Sequence, residues 1–353
     1  MPPDLCYNEK NERARSSGKK REERALIKIG TAVLRHGLLL GPMAGYSDHA
    51  MRAICRAYGA EYAVTEMVSA KAAVYGDKKT FALARIFADE GPVALQIFGS
   101  EPSVMAEGAA ILASHTDEGC VPPVAIDINM GCPVRKIFQN GEGSALMRDP
   151  ERIGRITEAV AAAVSLPVTV KLRAGVDRAH VNAAECAIAA EEGGAALVTV
   201  HGRTREQMYG GRADPSPIRA VKERLHIPVI ANGDAVSAKS ALSLLRETGA
   251  DGVMIARGAV GNPFLFSEIT AALTGGTFAP PDLAARRGAA LLQLRLAVAQ
   301  KGERVAVSEC RKQIALYFTG FRGSAALRDR VHRCETQAEI EAAIAAFTDG
   351  QDS

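Results

Sequence analysis

Short apolar segments alternate with longer Ala-rich stretches along the chain from Ile27 onward. The short segments have the length and β-branched content of buried strands, and the long ones have the apolar spacing of helices. This alternation is typical of consecutive βα units that form a parallel sheet. The eight predicted strands are residues 38–40, 62–65, 93–97, 124–128, 168–172, 197–200, 228–231 and 252–256.

The number of strands predicts how the sheet closes. Eight parallel strands joined by helices have the rhythm of an α/β protein of the (β/α)8 type, a TIM barrel, here over residues 27–276. An open doubly wound sheet is the structural alternative, but it usually has fewer strands, and the glycine fingerprint after its first strand is missing. Helices are predicted between the strands at residues 49–58, 103–114, 150–165, 181–192, 217–225 and 238–247.

After the barrel the pattern is helical only, and the charge changes. Residues 282–348 contain no strand-like segment and predict an all-helical C-terminal domain. Eleven Lys and Arg residues and three Asp and Glu residues lie between positions 285 and 334, a net charge of +8 on a chain whose formal net charge is +3. A charge run is usually a solvated helix face, but an excess this large favours a polyanionic partner. The predicted helices are residues 282–301, 308–318, 324–330 and 337–347.

Composition narrows the class of protein. The 353-residue chain is 47% hydrophobic and 24% charged, which is ordinary for a globular protein. No apolar run approaches the roughly 18 residues that cross a bilayer, and the polar residues 1–26 predict a disordered tail rather than a secretory signal. The seven cysteines are an odd number without metal-ligand spacing, so we expect reduced thiols, no bound metal and a cytoplasmic location.

Polar or small residues follow the C-terminal ends of the predicted strands, where barrel active sites form. Each has a structural explanation when taken singly, such as a turn or a buried pair. Together they would crowd one rim of the barrel with unsatisfied polar groups unless a ligand binds there. In chain order they are Pro42, Met43, Ala44, Glu66, Gln96, Asn129, Cys132, Lys171, His201, Arg203, Asn232, Gly233, Asp234, Ala256 and Arg257.

This rim has the chemistry to hold a flavin mononucleotide (FMN). The glycine loops after strands seven and eight, with Arg257 beside them, match the usual barrel phosphate site. Gln96 offers a donor and an acceptor to a ring edge, and Lys171 would stand where negative charge accumulates on a reduced ring. A Schiff-base aldolase with Lys171 as its nucleophile would show similar features. Cys132 is either a small core residue, as most free cysteines are, or a positioned thiol at the barrel mouth.

Six motifs resemble the tRNA-dihydrouridine synthases, and most closely their bacterial B-type branch. The order and spacing of Asn-Met-Gly-Cys-Pro is highly specific, whereas Asn-Gly-Asp alone is weak. The likeness runs from about residue 27 to residue 347; the long polar tail before it and Ala256, where glycine is frequent, depart from the pattern. The motifs are Gly-Pro-Met-Ala-Gly-Tyr-Ser-Asp at 41–48, Leu-Gln-Ile-Phe-Gly at 95–99, Asp-Ile-Asn-Met-Gly-Cys-Pro at 127–133, Lys-Leu-Arg at 171–173, His-Gly-Arg-Thr at 201–204 and Asn-Gly-Asp at 232–234.

The resemblance implies an FMN-dependent enzyme that reduces the C5–C6 double bond of D-loop uridines in tRNA, with NADPH as the electron donor. Cys132 would donate a proton to C5 while the flavin delivers hydride to C6. Asn129 and Arg203 would face the substrate. The flavin would be bound by Pro42, Met43, Ala44, Gln96, Lys171, His201, Asn232, Gly233, Asp234, Ala256 and Arg257.

Elementary chemistry is consistent with Cys132 as the acid and with tRNA as the partner. A thiol with an unperturbed pKa of about 8.5 holds its proton at neutral pH, as a general acid must. The target base must leave its stack to reach the barrel mouth. The resemblance assigns tRNA binding to the helical domain, 282–348, where Arg311 and Lys312 beside Tyr317 and Phe318 are our contact candidates. Their alternative is a solvated helix face beside core aromatics.

Two other functions compete with this one. A flavin barrel that acts on a free pyrimidine or another small molecule would have no use for the basic helical appendage. A non-catalytic RNA-binding regulator would have no use for Cys132 and Lys171 at the rim. The expectation is therefore a yellow protein that forms dihydrouridine on tRNA. The sequence carries no signal for the oligomeric state, and a monomer is the default expectation.

Overall fold

The structure, a computed structural model, describes residues 26–350. The predicted disordered tail, residues 1–26, lies outside the described residues except for its last position. Within 26–350, none of the helices combines the length and apolar character that a membrane span requires. The strands are β1 (Ile27–Ile29), β2 (Ala32–Leu34), β3 (Leu38–Leu40), β4 (Tyr62–Val64), β5 (Val68–Ser69), β6 (Val93–Phe98), β7 (Ala125–Asn129), β8 (Val168–Arg173), β9 (Ala195–His201), β10 (Val229–Asn232) and β11 (Gly252–Ile255).

Helices follow the strands and then continue alone to the end of the described range. Four short 3₁₀ turns, Ala88–Glu90, Gly143–Arg148, Arg257–Ala259 and Ala315–Phe318, lie between them. The helices are α1 (His49–Ala57), α2 (Ala70–Val74), α3 (Lys78–Ala84), α4 (Pro102–Ser114), α5 (Arg135–Gln139), α6 (Pro150–Ala163), α7 (Ala183–Glu192), α8 (Ser216–Lys222), α9 (Ala238–Thr248), α10 (Leu265–Thr274), α11 (Leu283–Lys301), α12 (Glu303–Ile314), α13 (Ser324–Arg333) and α14 (Gln337–Asp349).

Eight parallel strands close into a barrel. The hydrogen-bonded order is β4, β3, β11, β10, β9, β8, β7, β6, and β4 pairs with β6 to complete the ring. The short β5 adds a further pairing to β6. The predicted TIM barrel is therefore confirmed, and the open doubly wound sheet is wrong because no edge remains between β4 and β6.

Strand alternation gives the barrel two apolar layers. On β3, Leu38 and Leu40 pack outward against the helices, whereas Leu39 joins the interior cluster. That interior cluster also contains Ile29 and Leu34 of the antiparallel β1–β2 hairpin. Within the described residues, the hairpin therefore closes the N-terminal end of the barrel and leaves the C-terminal end for a site. The sequence analysis did not predict this hairpin.

The helices α11–α14 pack against the barrel through α1. Gln293 of α11 is at this contact: its Nε2 lies 3.9 Å from the Met51 sulfur of α1 and donates to Oε1 of Gln313 over 2.9 Å, while its Oε1 accepts from the Tyr317 hydroxyl over 2.6 Å. Since each buried donor finds an acceptor, the packing is specific in orientation. Several boundaries differ from prediction by a few residues, and the largest difference in the helical region is at α12. The helix predicted at 308–318 begins earlier, at Glu303, because Gly302 with φ of 76° ends the preceding helix.

Candidate active site

The C-terminal strand ends surround a cavity of about 860 Å³. This volume lies in the range of about 300–1,000 Å³ that is usual for small-molecule and cofactor sites. The predicted acid and all of the predicted flavin-binding residues line it, together with Asn129. They are Pro42, Met43, Ala44, Gln96, Asn129, Cys132, Lys171, His201, Asn232, Gly233, Asp234, Ala256 and Arg257.

Strand alternation directs the central polar side chains into the barrel. On β8, Thr169, Lys171 and Arg173 occupy every second position and therefore share one face. The register pairs Asp127 of β7 with Thr169, and Asn129 with Lys171. Two polar layers are thus stacked near the C-terminal end, the lower one around Asp127 and the upper one around Asn129.

A continuous chain of hydrogen bonds joins the lower layer to the loop of Cys132. Nε2 of Gln96 donates to Oδ2 of Asp127 over 2.7 Å, and Nδ2 of Asn129 donates to Oε1 of Gln96 over 2.9 Å. Oδ1 of Asn129 then accepts the backbone N–H groups of Gly131 (3.2 Å) and Cys132 (2.9 Å). The turn that carries the thiol is therefore held by a side chain of the preceding strand.

The Cys132 thiol is buried in the cavity wall, with 8% of the residue exposed. Burial raises the pKa of this thiol above its usual value and outweighs the lowering effects of the Val134 N–H and the nearby Arg173 and Lys171. The group is therefore a protonated thiol at neutral pH, and it has the state that a general acid requires.

Lys171 is a cation in the wall of the cavity. Its Nζ donates to Oδ1 of Asn232 over 3.2 Å. Burial, assisted by the positive charge of Arg173, lowers the pKa of Lys171 to about 8, so that most of the population is charged at neutral pH. Burial raises the pKa of Asp127 to about 6, against the hydrogen bonds from Thr169 and Gln96. At neutral pH the two therefore form a buried cation and a buried anion in neighbouring layers.

His201 is a neutral imidazole. Burial and then the positive charges of Lys171 and Arg173 hold the pKa of this histidine well below its usual value. Nη1 of Arg203 lies 3.4 Å from Nε2 of His201. Because a guanidinium can only donate, Nε2 is the accepting nitrogen and the ring proton belongs on Nδ1.

Arg203 and Glu66 were both placed at the rim by the sequence analysis, but neither lines the cavity. Arg203 lies behind the cavity wall. It is 2% exposed, and its Nη2 donates to both carboxylate oxygens of Asp234 over 2.8 and 2.9 Å. Partial burial opposes ionisation of Asp234, but the Ala213 N–H and Arg203 lower its pKa overall. Arg257 approaches the same carboxylate at 3.9 Å and remains half exposed. Arg203 therefore orients Asp234 from behind, while Arg257 is free to face a ligand.

Several lining residues were not predicted as site residues, among them Arg173, Tyr209 and Leu316. Arg173 lines the cavity, and its Nε donates to the Gly131 carbonyl over 2.7 Å, which braces the Cys132 turn from the other side. Its position two residues after Lys171 is the signal that could have found it. Tyr209 lies 5.1 Å from the Arg257 guanidinium, and Leu316 reaches the cavity from the helical region. No sequence pattern links either of these to the strand ends.

The two tRNA-contact candidates occupy different environments. Nη1 of Arg311 donates to the carbonyls of His332 (2.8 Å) and Cys334 (3.5 Å), at the C-terminal end of α13. Lys312 extends to the barrel instead, where its Nζ lies 4.3 Å from the ring centroid of Tyr46 at the cavity rim. The adjacent Tyr317 and Phe318 are fully buried, so they are core residues.

A closed barrel whose strand ends enclose one polar and apolar cavity is the architecture of an enzyme. The family model for dihydrouridine synthase (Dus) matches residues 39–351. The chain therefore belongs to the dihydrouridine synthase family, and the resemblance found in the sequence is confirmed. Among the described residues, no group of His, Cys, Asp or Glu side chains could hold a metal ion.

Individual relatives agree with the family assignment. The chain is 40% identical over 311 residues to the tRNA-dihydrouridine synthase B of Xanthomonas axonopodis pv. citri, which covers 88% of this chain and 92% of the relative. It is 39% identical over 324 residues to the probable tRNA-dihydrouridine synthase of Rickettsia conorii, covering 91% and 96%. The old yellow enzyme homologue from Zymomonas mobilis aligns with a TM-score of 0.48 and 12% identity over 75% of this chain and 96% of that one, a similarity too low to bear on function.

Proposed function

We propose that this enzyme reduces the C5–C6 double bond of a D-loop uridine in tRNA, with bound FMN as the hydride source and NADPH as the electron donor. In this proposal residues 27–276 form the catalytic domain and residues 282–348 the tRNA-binding domain. The names of the relatives support the substrate, since several are tRNA-dihydrouridine synthases. The observation that carries the proposal is a buried, protonated thiol, Cys132, in the wall of the same cavity as Lys171.

The cavity has the donor set that a flavin mononucleotide needs. Pro42, Met43 and Ala44 give it an apolar wall for a flat ring. Gln96 retains one N–H and one lone pair beyond its bonds to Asp127 and Asn129, so it can meet a ring edge that carries both C=O and N–H. The half-exposed Arg257 guanidinium next to Gly258 suits a phosphate.

In the proposed reaction, residues of this chain supply the proton and a compensating positive charge. FMN, when bound, supplies the hydride for C6 of the uracil ring. The Cys132 thiol supplies the proton for C5 from its Sγ, and the resulting thiolate is reprotonated from solvent after the product leaves. Lys171 would offset negative charge on a bound flavin ring. The neutral His201 adds a further polar contact without adding charge.

The rim of the barrel is suited to the phosphates of an RNA. On α5, which follows Cys132, the ring of Phe138 has two guanidinium groups near it, Arg148 at 4.5 Å and Arg205 at 4.2 Å from its centroid. Tyr209 similarly has Arg257 at 5.1 Å and Arg173 at 5.9 Å. Contact with the rings restrains these arginines, and the exposed Arg148 and the half-exposed Arg257 can contact a polyanion.

Replacing the thiol tests this proposal directly. Cys132→Ala should bind FMN normally, as shown by its absorbance spectrum, and form no dihydrouridine on tRNA. Cys120→Ala is the matched control, because Cys120 is a partly exposed thiol far from the cavity lining. Dihydrouridine is measured by mass spectrometry of nuclease digests. Turnover of Cys132→Ala at the rate of the control would remove the thiol from its role, and a protein that never binds flavin would overturn the proposal.

A further inference from the structure

The two side-chain amides between Asp127 and Cys132 form a chain with a fixed direction. At one end is the carboxylate of Asp127, which is 2% exposed and can only accept when ionised. At the other end are the backbone N–H groups of Gly131 and Cys132, which can only donate. Gln96 and Asn129 lie between these ends, and each has one donating and one accepting side.

Only one arrangement of the two amides satisfies both ends. Gln96 must turn its NH₂ group to Asp127, which leaves its oxygen for Asn129. Asn129 must then turn its NH₂ group to Gln96 and its oxygen to the backbone N–H groups. Reversing either amide would place donor against donor or acceptor against acceptor, and a buried polar group without a partner is costly. The Thr169 hydroxyl donates to the other oxygen of Asp127 over 2.5 Å and so reinforces its role as an acceptor.

We propose that Asp127 is a positioning residue for the reaction: by accepting from Gln96 it sets the direction of the amide chain, and through Asn129 it fixes the turn that carries the Cys132 thiol. Asp127 does not line the cavity, so it acts through the residues above it. This inference rests on the proposed function for its relevance to turnover, but the geometry of the Cys132 turn can be tested without it.

The fixed direction also decides what Asn129 shows to a ligand. Its Oδ1 already accepts two backbone N–H groups, so both lone pairs are used. One hydrogen of its Nδ2 is donated to Gln96, and the other remains available to a ligand. Asn129 therefore offers the cavity an N–H and no acceptor, which is the complement of a pyrimidine carbonyl oxygen rather than of an exocyclic amine.

The decisive variant is Asp127→Asn, which has nearly the same shape but can either donate or accept. Only the backbone N–H groups of Gly131 and Cys132 then hold the direction, so the lower end of the amide chain is anchored less firmly and Asn129 leaves the Cys132 turn in a larger part of the population. We expect alkylation of Cys132 by iodoacetamide, followed by peptide mass spectrometry, to be faster by about tenfold or more, the scale of one buried donor left unpaired. We also expect kcat for tRNA to fall by a similar factor while the flavin spectrum is retained.

Thr65→Val is the matched control. The Thr65 hydroxyl oxygen accepts the backbone N–H of the same Gln96 over 2.9 Å but takes no part in the amide chain. This variant should lose stability and keep the alkylation rate of Cys132 within about twofold. Equal acceleration in Thr65→Val and Asp127→Asn would show a general loosening of the barrel and would overturn the proposal.

Gln96→Leu interrupts the chain at its middle and is the second variant if Asp127→Asn does not fold. It too should expose Cys132 to faster alkylation. An alkylation rate equal to that of the unsubstituted protein, in whichever of the two variants is soluble, would overturn the role of Asp127. If the unsubstituted protein forms no dihydrouridine on any tRNA, the proposed function fails, while the alkylation comparison still decides the role of Asp127.

Discussion

Nζ of Lys301 lies 2.5 Å from Oδ2 of Asp48, which joins the last residue of α11 to the residue that caps the start of α1. The same ammonium group also lies 2.7 Å from Oε2 of Glu309. Asp48 follows directly on the loop that carries Pro42, Met43 and Ala44. The helical region therefore holds a loop that forms part of the cavity wall.

Lys301→Met should lower the free energy of unfolding by about 1 to 3 kcal/mol, because it leaves the buried Asp48 carboxylate without its cation. Urea unfolding followed by circular dichroism measures this change. Arg304→Met, an exposed cation at the start of α12, is the control and should change stability by less than about 0.5 kcal/mol. Equal stability of Lys301→Met and the control would mean that the Asp48 pair contributes nothing.

Variants of Arg311 should affect stability, whereas variants of Lys312 should affect tRNA binding. Arg311→Ala removes the hydrogen bonds to the end of α13 and should lower the free energy of unfolding by about 1.5 to 3 kcal/mol. Lys312→Ala should leave stability nearly unchanged, weaken tRNA binding and reduce the slope of log Kd against log salt by about 1. Filter binding at several salt concentrations measures the second effect. An unchanged salt slope in Lys312→Ala would place the contact surface elsewhere.

The pH dependence of turnover should follow the ionisation of Lys171. Burial lowers the pKa of Lys171 to about 8, so its positive charge is present below that pH and is lost as the pH rises through it. Burial raises the pKa of Cys132, so the thiol remains protonated in the same range. We therefore expect kcat/KM to fall above about pH 8. Lys171→Met should lower kcat/KM by about 100-fold or more and abolish this alkaline decline. A decline that persists in Lys171→Met would assign it to another group.

An Arg257 variant should separate the contribution of the cofactor's phosphate to binding from the contribution of its ring. The Arg257 guanidinium is half exposed, and Asp234 neutralises it only at 3.9 Å. Arg257→Met should weaken the binding of FMN by about tenfold and leave the binding of riboflavin, which has no phosphate, unchanged. Quenching of flavin fluorescence measures both affinities. Equal losses for the two ligands would show that Arg257 supports the cavity rather than a phosphate.

Most of the barrel was predictable because parallel strands are buried on both faces and read as apolar runs. The β1–β2 hairpin was missed because each of its strands has three residues with an exposed one in the middle. The alternation of Ile27 and Ile29 around Lys28, followed by a glycine at position 30, was a sequence signal for it. The short helices α2, α3 and α5 were also missed, since five to seven residues carry too little periodicity.

Site residues could be predicted where they lie at or just after the end of a barrel strand. Residues at or just after strand ends converge by the geometry of the barrel, so Gln96, Asn129 and Lys171 could be placed together from sequence. Arg203 differs because β9 ends at His201 and the alternation stops there, so the side chain turns to Asp234. The contact between Lys312 and Tyr46 joins segments far apart in the chain, and no local pattern predicts it.

Among the described residues, the β1–β2 hairpin closes one end of the barrel, so the cavity is reached from the other end. If a nicotinamide and a nucleic acid both react in this cavity, they must bind one after the other, and the enzyme must hold the reducing equivalents between the two half-reactions. Initial-rate plots at several concentrations of each substrate would then give the parallel lines of a ping-pong mechanism rather than intersecting ones.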